Sequence, residues 1–453
     1  MAFIYQAGCA LALLAAAVAP CDATGSLVRR EKLMRPNGLQ AALEKALKGQ
    51  AVGRLFAVEA SVRPAFEAFP KSALGQIPPV EAFAGIARSY FAKEHGWVLK
   101  GLEPYARLGP AQRPSAVPGT KVLRDRAPDV AAALEAIHTS GHGLSLSDVV
   151  GTIAVVEHLV VEDAAGLLPA AYTLNNVSME GEIENQKLHD ILESYLLLFR
   201  AGSEANPTDF EDHRKLKEAA RASDDWSALQ AFEGGVVLAA RAKGPKYTYD
   251  DVRDIVRALA LGYGRWQNDE CLEMKATLMG LSAGAPGLVP FDVFHAEPAH
   301  SSFQFSESAQ YLREIGALEE PEDGSAAPQV RIASYMLGPT NCIASLEYHM
   351  VCCLSECEAI VGDVEAQAQS PVTSADELAR IVQATAPASG AEAPGPLTEE
   401  VVAGLQGIVD SSSGVVSLHS SDFRRWMNTA FPNECPLPTA SEAAAEDAEL
   451  VEA

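Results

Sequence analysis

EYHMVCCLSECE, residues 347–358, sets three cysteines within six positions, and its reading decides how the chain is built. The chain holds eight cysteines, of which Cys9 and Cys21 belong to the N-terminal stretch MAFIYQAGCALALLAAAVAPCDA. That stretch, residues 1–23, carries an unbroken apolar run from Cys9 to Val18 followed by small residues. It reads as a secretory signal peptide, although its first residues lack Lys and Arg. The run is too short to span a bilayer. Beyond it, Cys271, Cys342, Cys352, Cys353, Cys357 and Cys435 remain, and an even set in an oxidising compartment reads as a disulfide framework.

Helical spacing over residues 345–367 predicts one helix carrying the whole cluster. On such a helix His349, Cys353 and Cys357 share a stripe, and Cys352 is turned away from Cys353 by about 100°. Adjacent cysteines resist pairing with each other because the ring is too tight. If each helix cysteine pairs with one of Cys271, Cys342 and Cys435, six of the fifteen connectivities survive. The competing reading is a metal site of His349, Cys353, Cys357 and Cys342. It lacks the paired C-x2-C knuckles of structural zinc, and an oxidising compartment disfavours thiolate ligands. No C-x-x-C supports redox catalysis.

Working outward, the fold class is mainly α, multi-helical and disulfide-stapled, with degenerate, ligand-free EF-hand-like helix–loop–helix units and at most short strands. Apolar residues recur at helical spacing over residues 39–49, 130–138, 149–160, 185–199, 249–264 and 268–280. Asp250–Asp251 and Asn268–Asp269–Glu270 are placed as helix starts, and Gly280 as a stop. Residues 330–333 and 415–418 are the best strand candidates. Pro, Gly and Ser collect at 108–118 and at 384–396, marking a linker and a low-complexity loop. The expected organisation is 24–120 as an N-terminal helical region with its linker and 121–265 as a central helical domain. A cysteine-stapled C-terminal domain follows at 266–438, then a disordered acidic tail at 439–453. No solenoid period is legible.

The net charge of −25 argues against nucleic acid and anionic membrane surfaces as partners. Asn176-Val177-Ser178 is a glycosylation sequon, whereas Pro207 excludes Asn206. Gly280-Leu281-Ser282-Ala283-Gly284 spells a nucleophile elbow, but a helical pattern precedes it where a strand is required. The same loop has an EF-hand silhouette, with Gly287 at the sixth position and Val289 at the eighth. Its oxygen positions hold Ser282, Gly284, Pro286 and Val293, so calcium has no ligand set there. Residues 140–150 and 413–427 are vaguely similar, again without ligands. His138, His142, His158, His295 and His300 are scattered, and no metalloprotease, phosphate-loop or dinucleotide motif is present. No catalytic residue, cofactor or metal ligand is therefore assigned.

Six stretches carry a family resemblance: SVRPAFEAFPKSALG (61–75), ARSYFAKEHGWVLKGLEP (87–104), YGRWQNDECLEMKATLM (263–279), FSESAQYLREIGAL (305–318), PTNCIASLEYHMVCCLSECE (339–358) and LHSSDFRRWMNTAFPNECPLP (418–438). Together they resemble a family of uncharacterised secreted or membrane-exposed proteins of dinoflagellates and related marine protists. The resemblance spans residues 61–438, and CC-x-x-x-C with the later ECP is its most specific part. This chain departs from it at Gly338-Pro339-Thr340 and in the low-complexity loop. It implies a secreted or luminal, cysteine-stapled protein and brings no activity. The leading functional expectation is a non-enzymatic structural or interaction protein with an unknown protein partner. A secreted hydrolase-type enzyme with dispersed catalytic residues and a weak divalent-cation binder are the alternatives.

Overall fold

Most of the helical spacing in the chain becomes helix, and its turns become short bridges between distant segments. The computed structural model describes residues 38–48, 52–79, 81–103, 121–202, 210–223, 225–240, 246–282, 284–295, 303–320, 327–385 and 397–438. The expected signal peptide, the linker at 108–118, the acidic tail and residues 386–396 of the low-complexity loop lie outside them. Met1–Gly38 and Leu39–Ala453 are separate units, and the second carries the fold.

The described elements begin with α1 (Gly38–Ala46), α2 (Val52–Ala68), α3 (Glu81–His95) and β1 (Trp97–Leu99), then α4 (Lys121–Arg126), α5 (Pro128–Thr139) and α6 (Leu146–Ala165). Next come α7 (Leu168–Leu174), β2 (Glu182–Glu184), α8 (Asn185–Ala201), α9 (Phe210–Arg221), α10 (Trp226–Ala240), β3 (Lys246–Thr248) and the long α11 (Tyr249–Leu281). They are followed by β4 (Leu288–Pro290), α12 (Phe291–Phe294), α13 (Ala309–Glu314), β5 (Leu318–Glu319), β6 (Gln329–Arg331) and α14 (Ile332–Met336). The hairpin β7 (Ala344–Ser345) and β8 (His349–Val351) leads into α15 (Glu356–Ala368), β9 (Val372–Ser374), α16 (Ala375–Ala384), α17 (Glu399–Gly407), β10 (Val415–Ser417) and α18 (Ser421–Ala430).

One local plan organises these elements. A helix ends in a turn, the turn delivers a residue into an antiparallel bridge, and the next helix starts within a few positions. Ile77 bridges Leu144, Ile183 bridges Tyr247, Val289 bridges Val330 and Thr373 bridges Val416. All eight bridging residues are buried. Among the described residues the plan occurs eight times, in four pairs. From Tyr247 onward the bridging residues lie 41 to 43 positions apart. The longer intervals accommodate β1 and α9. Four of the helix starts after the bridges are capped by side chains: Ser145 and Thr248 form capping boxes with Asp148 and Asp251, and Ser374 and Ser420 accept from the Glu377 and Phe423 amides.

Three hydrophobic clusters fill the unit. The largest joins α1–α3 to α4–α8, α10 and the first half of α11, so residues on both sides of position 120 share one core. A second gathers Leu278, Val289, Phe294, Val330 and Tyr335 around the third pair, and a third belongs to the fourth pair.

Residues 345–367 are not a single helix. β7 and β8 pair with each other, β8 pairs with β1, and α15 starts only at Glu356. Ala344, Leu346 and Tyr348 are buried while Ser345 and Glu347 are exposed. This two-residue alternation prevails because β1 supplies main-chain partners that an isolated helix would forgo. Conversely, the start placed at Asn268–Asp269–Glu270 is no boundary, since α11 runs through it for 33 residues. Its close crossing with the end of α3 requires Gly264: a Cβ there would stand 1.9 Å from the His95 carbonyl oxygen. Gly264→Ala should therefore destabilise the fold by at least about 1–3 kcal/mol, read by denaturant titration. A neutral result would mean that this crossing is loosely packed.

Candidate functional site

The cysteine cluster is a seam. Cys271 is joined to Cys353, Cys342 to Cys352 and Cys357 to Cys435. Cys352 and Cys353 lie in the extended segment between β8 and α15, and only Cys357 of the cluster is helical. One turn beyond Cys271 on α11, the buried Lys275 ammonium donates to Glu434 at 2.7 Å and to Glu356. The space beside this bridge is about 20 Å³, room for a water molecule and not for a substrate. Every sulfur of the metal reading is held in a disulfide. No group of three or more His, Cys, Asp or Glu among the described residues could hold a metal ion.

A second cluster ties α2, α3 and α6. Glu157, 4% exposed, accepts from Arg54 through both oxygens, from the Tyr90 hydroxyl at 2.7 Å and from His95 Nε2 at 3.0 Å. Burial pushes its carboxyl up, yet hydrogen bonds from His95, Arg54 and Tyr90 outweigh that and hold it at about 2. A carboxylate that takes four hydrogen bonds and is held this acidic is a tie between helices and a poor base.

A third cluster lies where α15 meets α2. His419 stacks on Phe69 with ring centroids 3.8 Å apart, and its Nε2 stands 3.6 Å from Glu365 Oε1, too far for a hydrogen bond. Burial pushes the Glu365 carboxyl up to about 7 and the His419 imidazole down to about 3, from ordinary values of 4.5 and 6.5. Between pH 4.5 and 6.5 the unfolded chain carries its single proton on His419, and the folded chain carries it on Glu365. The proton count is equal, so the pair adds no pH slope there. Below 4.5 the unfolded chain gains a second proton and stability falls towards pH 3, by about 2 kcal/mol. Above 6.5 the unfolded chain loses its proton first, and stability falls through about pH 7. In Glu365→Gln the fall between 6.5 and 7 should vanish, leaving stability higher relative to wild type as pH rises. Parallel profiles for the two proteins in urea titrations would rule this pairing out.

A roomier concavity lies between α8, α9 and α10, with a volume of about 270 Å³. Helical spacing builds it: His189, Glu193 and Leu196 share a face of α8, and Trp226, Gln230 and Glu233 share a face of α10. His189 Nδ1 and Glu233 Oε1 are 2.6 Å apart. Glu193 receives Arg221 through two 2.7 Å bonds, with Lys217 at 3.6 Å. Burial pushes the Glu233 carboxyl up while His189 acts against it.

Residues singled out from the sequence fall elsewhere. Asn176 is exposed just after α7, with Ser178 exposed beside it. Ser282 caps the C-terminus of α11, and its hydroxyl donates to the Ala285 carbonyl at 2.6 Å. It follows a helix and so lacks the strand of a nucleophile elbow. His142 contacts Ser140, and His295 contacts the Glu307 carbonyl; Ala283 and His300 lie outside the described residues. The Glu157 and Glu233 clusters were not found from sequence. Glu233 had a signal, as the one charged residue of α10, WSALQAFEGGVVLAA.

The chain matches no protein-family model, no curated protein and no solved structure. No described helix is long and apolar enough to cross a membrane.

Proposed function

We propose that this chain is a secreted, non-enzymatic structural or interaction protein, built from paired EF-hand-type helix–loop–helix units that have lost their calcium ligands. The observation that carries the reading is the recurrence of buried bridging residues in four antiparallel pairs, each bridge followed by a helix start. In an EF-hand loop the sharp-turn glycine is sixth and a bidentate acid is twelfth. Residues 176–187 keep that frame: Asn176, Ser178 and Glu180 fall at positions one, three and five, and Gly181 (φ 88°) at six. The bridging Ile183 is then eighth, but Lys187 stands twelfth. Asp148, Asp251 and Glu377 are twelfth in their own frames, and Asp148 and Asp251 are spent on helix caps. Three disulfides suit an oxidising compartment, in keeping with the expected leader and with the resemblance to secreted protist proteins. The exposed Asn176 is open to glycosylation.

The test is gain of function. Wild type should melt at the same temperature in EDTA and in millimolar calcium. Asn176→Asp with Lys187→Glu, which also removes the sequon, should bind calcium with Kd of about 10⁻⁴–10⁻³ M by calorimetry. A folded double variant that ignores calcium would remove the EF-hand-type reading of that loop.

A further inference from the structure

The α8–α9–α10 cavity holds groups whose bonding capacity is unspent. Glu233 is 5% exposed. Its Oε1 faces His189, no hydrogen bond engages its Oε2 among the described residues, and the residue lines the cavity. His189 Nε2 is likewise unpartnered. The two nearby cations, Arg221 and Lys217, are both committed to Glu193. Glu233 is thus a carboxylate taken out of water without a permanent cation beside it, which costs free energy unless a positive group arrives. Trp226 lines the same space and stacks on no other aromatic ring among the described residues, with Leu196 and Leu229 beside it. An aromatic face next to a desolvated carboxylate is the surrounding an organic cation prefers.

We propose that this cavity binds a small organic cation, a primary ammonium on a short apolar or aromatic stem. Glu233 Oε2 and His189 Nε2 accept from the ammonium, and Trp226, Leu196 and Leu229 enclose the stem. A neutral polyol is the weaker fit, because it brings no positive charge to the uncompensated Glu233 carboxylate. The groups assigned to the ligand lie outside the bridging loops, and the proposal does not depend on the EF-hand-type reading of those loops.

The experiment is calorimetric titration of the full chain with benzylamine and with its uncharged isostere, benzyl alcohol. Benzylamine should bind saturably at one site, and benzyl alcohol about tenfold more weakly or worse. Glu233→Gln should lower benzylamine affinity by about tenfold or more while melting temperature and far-ultraviolet dichroism are retained. If that variant fails to fold, Trp226→Leu, at the cavity rim, should weaken benzylamine several-fold. Equal binding of amine and alcohol, undiminished affinity in the folded variants, or no saturable benzylamine binding at about 10 mM would each overturn the proposal.

Discussion

Replacing both Cys357 and Cys435 by alanine should cost about 4 kcal/mol of stability, against about 3 kcal/mol for the Cys342 and Cys352 pair. The ordering follows from the chain each bridge closes: 78 residues of separation in the first case and 10 in the second. A longer loop gives the unfolded chain more freedom to lose. The first bridge also fastens the end of the fourth pair back to the start of α15, whose core of Ile360, Val364, Leu378, Val416 and Trp426 is separate from the main one. Its loss should therefore melt this pair at lower denaturant than the rest, as two steps in hydrogen exchange protection. A larger loss for the short bridge, or a single undivided transition at unchanged midpoint, would contradict this. Cys271–Cys353, with a separation of 82, should behave like the first.

Glu157→Ala should cost about 3–5 kcal/mol, because it strands three donors at once. Tyr90 and His95 are buried and Arg54 is partly so, and each would lose its bond to this carboxylate. Glu157→Gln keeps the shape but not the charge and should cost less. The same carboxylate makes a pH signature. Held at about 2 when folded and at 4.5 when unfolded, it contributes about 3 kcal/mol that is complete above pH 4.5 and disappears as pH falls through 2. Stability of the alanine variant should accordingly depend less on acid than wild type below pH 4.5. A variant within 1 kcal/mol of wild type would show that the cluster is dispensable.

What the sequence made readable was local. Residues 185–199 and 149–160 became α8 and α6 because their apolar spacing matches the face they bury. The strand candidates at 330–333 and 415–418 overlap β6 and β10, where Val330 and Val416 are the bridging residues. The hairpin at β7–β8 was hidden because its decisive partner, Trp97–Leu99, lies some 250 positions upstream. The eightfold plan was hidden for a different reason. A backbone bridge needs one buried residue and a turn, and these tolerate Ile, Leu, Val, Tyr or Thr alike. Of the cavity, Glu233 alone stood out in its helix, while its pairing with His189 across 44 positions is a product of folding.

The uninterrupted α11 has one more consequence, for how this chain can change in length. It is at once the exit helix of the second pair and the entry helix of the third. Adding or removing a single residue within it would turn everything downstream by about 100° and shift it by about 1.5 Å. Cys271 could then no longer meet Cys353 without unwinding, and Lys275 would leave Glu356 and Glu434 behind. Length variation should thus be admitted in the stretches between the helices and refused inside this one, so that α11 acts as the molecule's fixed ruler.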